Sequence, residues 1–571
     1  MHVVATAGHV DHGKSTLVLA LTTMDPDRFE EEKRRGLTID LGFAWTVLPS
    51  GEGIAFVDVP GHVRFLKNML AGVGAVDACL FVVAATEAWK PQSEEHLRIL
   101  ELLGIRHGVI ALTKVGLVDD DGTELARLDI EDHVAGTFLE HAEVVAVDAP
   151  TGVGLGALRL ALDRLVADTP TAVDRDRPRM WIDRSFAAPG AGTVVTGTLT
   201  GGAIAVGDEL AVRDHTVRVR SLQSLGQTHD RIGPGNRTAV NLVGVSHHEV
   251  ARGDALVRAD QWHTTRTVDA SLSVLDALDH DVSRRGAFVA YIGSGEHPVR
   301  VRILGPDAIA PGAEGLVRLH LPLALPLVPG DRFVLRESGR SETVGGGEIL
   351  DIDPRVRASR ARPDRSVSRV VAERGWVDAD DLERLTGERV ATTVGHWVVD
   401  EQALADASSR LMTMIDAAGP LGLDVAALDE RDRSVLGTLD GVGVHAGRAV
   451  LAGTDDPLAA HPFVAALEAE PFAPPSAEDL RIDRAELREL IKRGFVVEQD
   501  GLWFAPSAID EAAKVVAALL KQQPHGVTVA EVREALSTTR KWAVPLLNVL
   551  DARGITRRRD DLRVAGPRLP T

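Results

Sequence analysis

The stretch GHVDHGKST, Gly8–Thr16, holds the residues whose types and spacing most directly imply chemistry. Gly8, Gly13, Lys14 and Ser15 satisfy GxxxxGK[ST]. The two glycines let the backbone curl until its N–H groups face phosphate oxygens. Lys14 adds a point charge, and the Ser15 hydroxyl can ligate Mg²⁺. His9, Val10, Asp11 and His12 complete the loop and Thr16 follows it, so Gly8–Thr16 is read as one nucleotide-binding cradle. Further on, IAFVDVPGH is an apolar run ending in Asp58. An acid at the C-terminal end of such a strand faces the ligand crevice and can hold Mg²⁺ through water. Gly61 can offer its N–H to a γ-phosphate, and Thr38, in RRGLTIDLGF, can supply a second hydroxyl to the metal.

Elements must position these groups. HVVATA before the loop reads as a buried strand, and TLVLALT after it as the start of a helix. Strand, glycine loop and helix come in the order a phosphate site requires.

GHVDHGKST, RRGLTID and DVPGH resemble the P-loop, switch I and switch II of translational GTPases. The resemblance implies GTP as the nucleotide and Mg²⁺ as its partner, and it maps the water-positioning, catalytic histidine onto His62. The family reads guanine with [NT]KxD. Here Thr113 and Lys114 are present, but Gly116 stands in the place of the acid that accepts from guanine N1 and N2. A charge-assisted bond is worth about 1.5–3 kcal/mol, so its loss predicts weaker guanine binding and selectivity. Restoring the acid, Gly116→Asp, is expected to tighten GTP if the loop keeps the family's shape. Asp119, Asp120 or Asp121 could replace it through a rearranged loop. The last base-contacting element, usually Ser-Ala, reads Asp148-Ala149. Ala149 can still use its backbone, and whether Asp148 compensates for Gly116 is left open.

A length of 571 residues exceeds one core and predicts about four domains. The apolar fraction of 44% is that of a globular chain. The single cysteine, Cys79, permits no internal disulfide and suits a reducing cytosol. The start lacks the features of a signal peptide, and no apolar run nears the roughly 18 residues of a membrane span, so a cytoplasmic protein is expected. A net charge of −20 weighs against broad nucleic-acid binding, which would have to be local.

After a polar linker, TPTAVDRDRPR, short strands with Gly turns predict two β-barrels. The boundaries expected are 1–172 for an α/β P-loop GTPase domain, 173–262 and 263–362 for the barrels, and 363–571 for about four tandem winged helices. RGLTIDLGFA, AGTVVTG and GDRFVLR…VGGG resemble the selenocysteine-specific branch of the elongation factor Tu-like family. That resemblance implies a selenocysteine pocket at Asp183, Arg184 and Arg237. A selenol is anionic at neutral pH, and arginine favours it over uncharged serine.

The tail shares a plan of helix pairs, with β-ribbons in the last three units, as winged helices do. From Arg540 to Arg568 there are eight basic and three acidic residues. On a helical wheel Ala543, Leu546, Leu547 and Leu550 share one face, while Arg540 and Lys541 point away. Pro545 requires a helix that begins late or kinks. Arg557, Arg558, Arg559 and Arg563 fall on the predicted wing. With Arg540 and Lys541 they form the candidate RNA grip, within about 511–571. Trp542 reads as a partial core residue rather than a base-stacking one.

The resemblance implies a monomer that delivers selenocysteinyl-tRNA to the ribosome at UGA codons, tethered by its last module to a hairpin in the selenoprotein message. GTP hydrolysis, stimulated by the ribosome, would release the tRNA. Two alternatives remain. One is a general elongation factor Tu-like carrier, against which the long tail argues. The other is a nonenzymatic RNA-binding or regulatory protein with a decayed nucleotide site, which Gly116 and Asp148 keep open.

Overall fold

Alternation along the first strand sorts the N-terminal core into two faces. In β1 (His2–Ala7), Val3, Ala5 and Ala7 join one apolar cluster and Val4 joins the other. Strands β2 (Gly42–Val47), β3 (Gly53–Asp58), β4 (Ala78–Ala84), β5 (Gly108–Thr113) and β6 (Val144–Ala146) complete a sheet ordered β2-β3-β1-β4-β5-β6. All neighbours run parallel except β2 against β3. Helices α1 (Lys14–Thr22) and α4 (Leu155–Asp168) cover one face; α2 (Pro91–Leu102) and α3 (Asp120–Val134) cover the other. Loops leaving the C-terminal ends of β1, β3, β5 and β6 therefore converge on one edge, where such sheets bind ligands.

This computed structural model describes residues 2–26, 40–60, 76, 78–188, 190, 192–445, 447–451 and 456–570. Gly61, His62 and Thr38 lie outside the described residues.

The chain divides into two compact units, 1–391 and 392–571. The first continues from the GTPase-like domain into two six-stranded barrels. In the first barrel, Arg179–Trp181, Gly192–Thr200, Arg237–Val243, His215–Ser224, Glu209–Val212 and Ala255–Val257 form a closed circuit. The second barrel, from Thr264 to Asp351, is also closed. Its strand Gly295–Ile303 alternates buried and exposed residues, as a barrel wall requires. The polar linker ends in an anchor: Arg177 is 7% exposed and donates to the carbonyls of Gln261, Glu383 and Arg384. Helices Val367–Arg374 and Ala379–Thr386, the first pair of the expected array, belong to this unit, and Leu385 packs on the second barrel's core.

The second unit holds the remaining modules. Glu401–Ala417 and Glu430–Leu436 accompany a three-stranded sheet, and Pro462–Ala469 and Arg484–Lys492 accompany a two-stranded ribbon. The last module has helices Pro506–Gln522, Val529–Ala535 and Arg540–Ala552 with a three-stranded sheet. Thr528 and Glu531 form a capping box that starts its second helix. Its third helix begins at Arg540, after the N-cap Thr539, and contains Pro545. Among the described residues no helix is long and apolar enough to cross a membrane.

Candidate nucleotide-binding and RNA-binding sites

The loop after β1 is shaped by three left-handed residues, Gly8 (φ 127°), Asp11 (φ 65°) and Gly13 (φ 84°). A Cβ at Gly8 would lie 2.1 Å from the Val82 carbonyl oxygen, so the loop can cross β4 only as glycine. Gly13 is the N-cap of α1 and provides no side-chain cap. The helix's N-terminal amides thus face the loop's interior, an arrangement that favours anions.

Lys14 is 6% exposed, and its Nζ donates to the carbonyls of Gly8 (3.0 Å) and His9 (2.8 Å). Burial pushes its ammonium down to about 8, against the pull of the Asp58 and Asp11 carboxylates. Two buried imidazoles support the loop without adding charge. His96 Nδ1 accepts from Gly8 N–H (3.0 Å), and burial drives its pKa to about 3. His12 Nδ1 donates to the Val82 carbonyl (3.2 Å), and burial lowers its pKa to about 4. Gln92 Oε1 accepts from Val10 N–H at 3.3 Å. Gln92 and His96, both on α2, were not found from sequence because the P-loop pattern ends long before them.

Ser15 Oγ donates to Asp58 Oδ2 (2.6 Å), and Thr6 Oγ1 donates to Asp58 Oδ1 (2.7 Å). A hydroxyl and a carboxylate, side by side and both hard oxygens, are a donor set that suits Mg²⁺. Thr16, last of the predicted cradle, is exposed.

At the base end, Thr113 Oγ1 donates to the His12 carbonyl (2.7 Å), tying β5 to the P-loop. Lys114 Nζ pairs with Glu87 (3.2 Å). The three acids offered as substitutes for Gly116 are placed elsewhere. Asp119 caps α3 through Gly122 N–H (2.8 Å), and Asp120 and Asp121 lie exposed in that helix's first turn. Asp148 instead stands against Gly116: a Cβ there would lie 3.1 Å from the Asp148 Cγ. Ala149 follows, half-buried.

In the first barrel, Arg237 makes a bidentate pair with Asp183 (2.6 and 2.9 Å), and Thr196 donates to the same carboxylate (2.6 Å). Phe43 of β2 lies beneath both arginines, its centroid 3.4 Å from Arg237 Cζ and 4.5 Å from Arg184 Cζ. Arg184 also donates to the Leu41 carbonyl. The three predicted residues therefore meet, and Arg184 and Arg237 line a cavity of about 270 Å³ together with Trp45 and Gln223.

In the last module, Ala543, Leu546, Leu547 and Leu550 are all fully buried, as the wheel required. Arg540, Lys541, Arg557, Arg558 and Arg559 are exposed. Trp542 is half-buried, edge-on to Phe504. Arg563 departs from the expected wing: it is 3% exposed and pairs with Asp551 at 2.8 Å. Its strand Leu562–Ala565 pairs on both sides, with Val527–Thr528 and Thr556–Arg559, which turns Arg563 inward.

Residues 1–168 match the family described as Elongation factor Tu GTP binding domain. Residues 262–356 match the Selenocysteine-specific elongation factor beta-barrel domain, and 518–565 the Elongation factor SelB winged helix. A selenocysteine-specific elongation factor of Desulfomicrobium baculatum is 36% identical over 412 residues, covering 72% of this chain and 64% of that protein. The chain thus spans under two thirds of that relative's length. Elongation factor Tu 2 of Streptomyces avermitilis is 31% identical over 391 residues, 61% of this chain and 96% of that protein. The crystal structure of a bacterial selenocysteine-specific elongation factor shares the fold, with a TM-score of 0.69 at 24% identity over 99% of both chains. The chain belongs to the elongation factor Tu GTP-binding domain family, in its selenocysteine-specific SelB branch.

Proposed function

We propose that this protein is a GTP-dependent elongation factor that delivers selenocysteinyl-tRNA to the ribosome at UGA codons, guided by a message hairpin held at its last module. Lys14 and the amides of Gly8–Ser15 bind the triphosphate. Ser15, Asp58 and Thr38 would hold Mg²⁺, which neutralises charge on the phosphates. Gly61 meets the γ-phosphate, and His62 positions the attacking water when the ribosome stimulates hydrolysis. Arg184 and Arg237 favour an anionic selenolate over a serine hydroxyl, and Asp183 holds Arg237 in place.

One observation carries this reading over a general tRNA carrier. Beyond the barrels, the chain carries a module with an apolar core and with Arg540, Lys541, Arg557, Arg558 and Arg559 exposed. Such a grip suits successive phosphates of an RNA stem-loop. Arg563 supports the wing from inside.

The test uses the full chain with Arg557, Arg558 and Arg559 changed together to Ala. Nucleotide and tRNA binding should persist, while affinity for the organism's own selenoprotein hairpins falls. The log–log salt slope should flatten by up to about three units of 0.7–0.9. A wild-type chain that binds those hairpins no better than arbitrary stem-loops would overturn the message tether.

A further inference from the structure

The two departures of the base-binding corner touch each other. Gly116 lies just after β5 and Asp148 just after β6. An ideal Cβ on Gly116 would sit 3.1 Å from both Cγ and Oδ2 of Asp148 and 3.5 Å from Oδ1. The Asp148 carboxylate therefore occupies the space that a side chain at 116 would enter. Glycine at 116 leaves room for it.

We infer that Asp148 is the guanine-reading residue of this site, its carboxylate accepting from N1–H and the N2 amino group of the base. The inference rests on the GTP-binding reading above. Asp148 is 7% exposed. Thr151 Oγ1 donates to Oδ2 (2.5 Å), and Oδ1 accepts no hydrogen bond from the described residues. No cation pairs with this carboxylate among the described residues. Oδ1 keeps contact with solvent, so an entering ligand can donate to it. Guanine presents two adjacent N–H groups on one edge, matching the two oxygens of a carboxylate. Adenine presents an acceptor at N1 and would meet the carboxylate with repulsion.

The backbone holds the carboxylate in register. Asp148 N–H donates to the Val153 carbonyl and Gly152 N–H donates to the Asp148 carbonyl, both at 2.9 Å. The same turn places Ala149 next along the chain. Of the other acids, Asp119 caps α3 and Glu87 pairs with Lys114.

The test measures binding of GTP, ATP and xanthosine triphosphate to the full chain by competition. Asp148→Asn should lower GTP affinity by about tenfold or more and raise affinity for the xanthosine nucleotide, whose C2 carbonyl accepts from the new amide. Gly116→Asp should weaken GTP, because it drives a second carboxylate against the first. Gly116→Asp combined with Asp148→Ser should restore guanine preference by moving the acid back. Asp148→Asn with unchanged GTP, ATP and xanthosine preferences would overturn the assignment. So would a double variant that folds and binds triphosphate without base preference. A wild-type chain that binds triphosphates indiscriminately overturns this assignment alone; one that binds none overturns the functional reading beneath it.

Discussion

At the phosphate end of the proposed nucleotide site, recognition rests on a fixed backbone path together with Lys14; at the base end the inferred reader is one side chain, Asp148. Gly8 passes so close to Val82 that a single added carbon would collide with its carbonyl. The loop's path, its left-handed residues and the uncapped start of α1 together fix where phosphate can lie. None of these can be supplied from elsewhere in the chain. The base end needs only a carboxylate at a point where two loops converge, and either loop can deliver it. The first kind of recognition leaves a fixed sequence pattern. The second permits exchange between Gly116 and Asp148, and a position-by-position reading registers that as loss.

This contrast can be broken by substitution. The largest effect is expected from Gly8→Ala, which forces a 2.1 Å contact at φ 127°. It should cost about 2–4 kcal/mol of stability, seen as a lower melting temperature, and remove triphosphate binding. A stable, nucleotide-competent variant would show that the loop can deform and that its path is not fixed by backbone contact.

Lys14→Ala should leave the fold intact and weaken GTP and ATP alike by about a hundredfold, measured by equilibrium binding. Lys14 serves phosphates, so the ratio between the two nucleotides should not move. A change in that ratio would mean that the two ends are coupled.

Thr151→Ala should have the smallest effect. It removes the donor to Asp148 Oδ2 while keeping the carboxylate. Guanine-over-adenine preference should fall by about threefold to tenfold, with little change in phosphate affinity. An unchanged preference would assign the rigidity of Asp148 to its backbone turn alone.

The sequence was legible wherever one element contains its own reason. Strand β1, the glycine loop and α1 are consecutive, so the cradle could be read in a line. Asp58 was placed by the end of an apolar run. The wheel of the last helix placed Ala543, Leu546, Leu547 and Leu550 inside, where all are fully buried. Alternation and Gly turns gave both barrels. Legibility failed where two distant segments meet. His96 reaches Gly8 across 88 residues, and no motif joins them. Arg563 looked like another basic wing residue, but its strand is the central one of three and Asp551 receives it. The acids after Gly116 looked available, yet Asp119 caps the helix that follows.

What the amino-acid order determined by itself was local: the phosphate loop, the element types, the apolar faces and the exposed Arg557–Arg559. These depend on backbone freedom and on the periods of helix and strand, which act over a few residues. Tertiary structure alone decided which side chains meet. It set Phe43 beneath Arg184 and Arg237, turned Arg563 to Asp551, and brought the Asp148 carboxylate into the space beside Gly116. The physical reason is that a parallel sheet orders its strands by packing rather than by chain sequence. Ends of β5 and β6 that are remote in the chain become neighbours only when the sheet closes around its core.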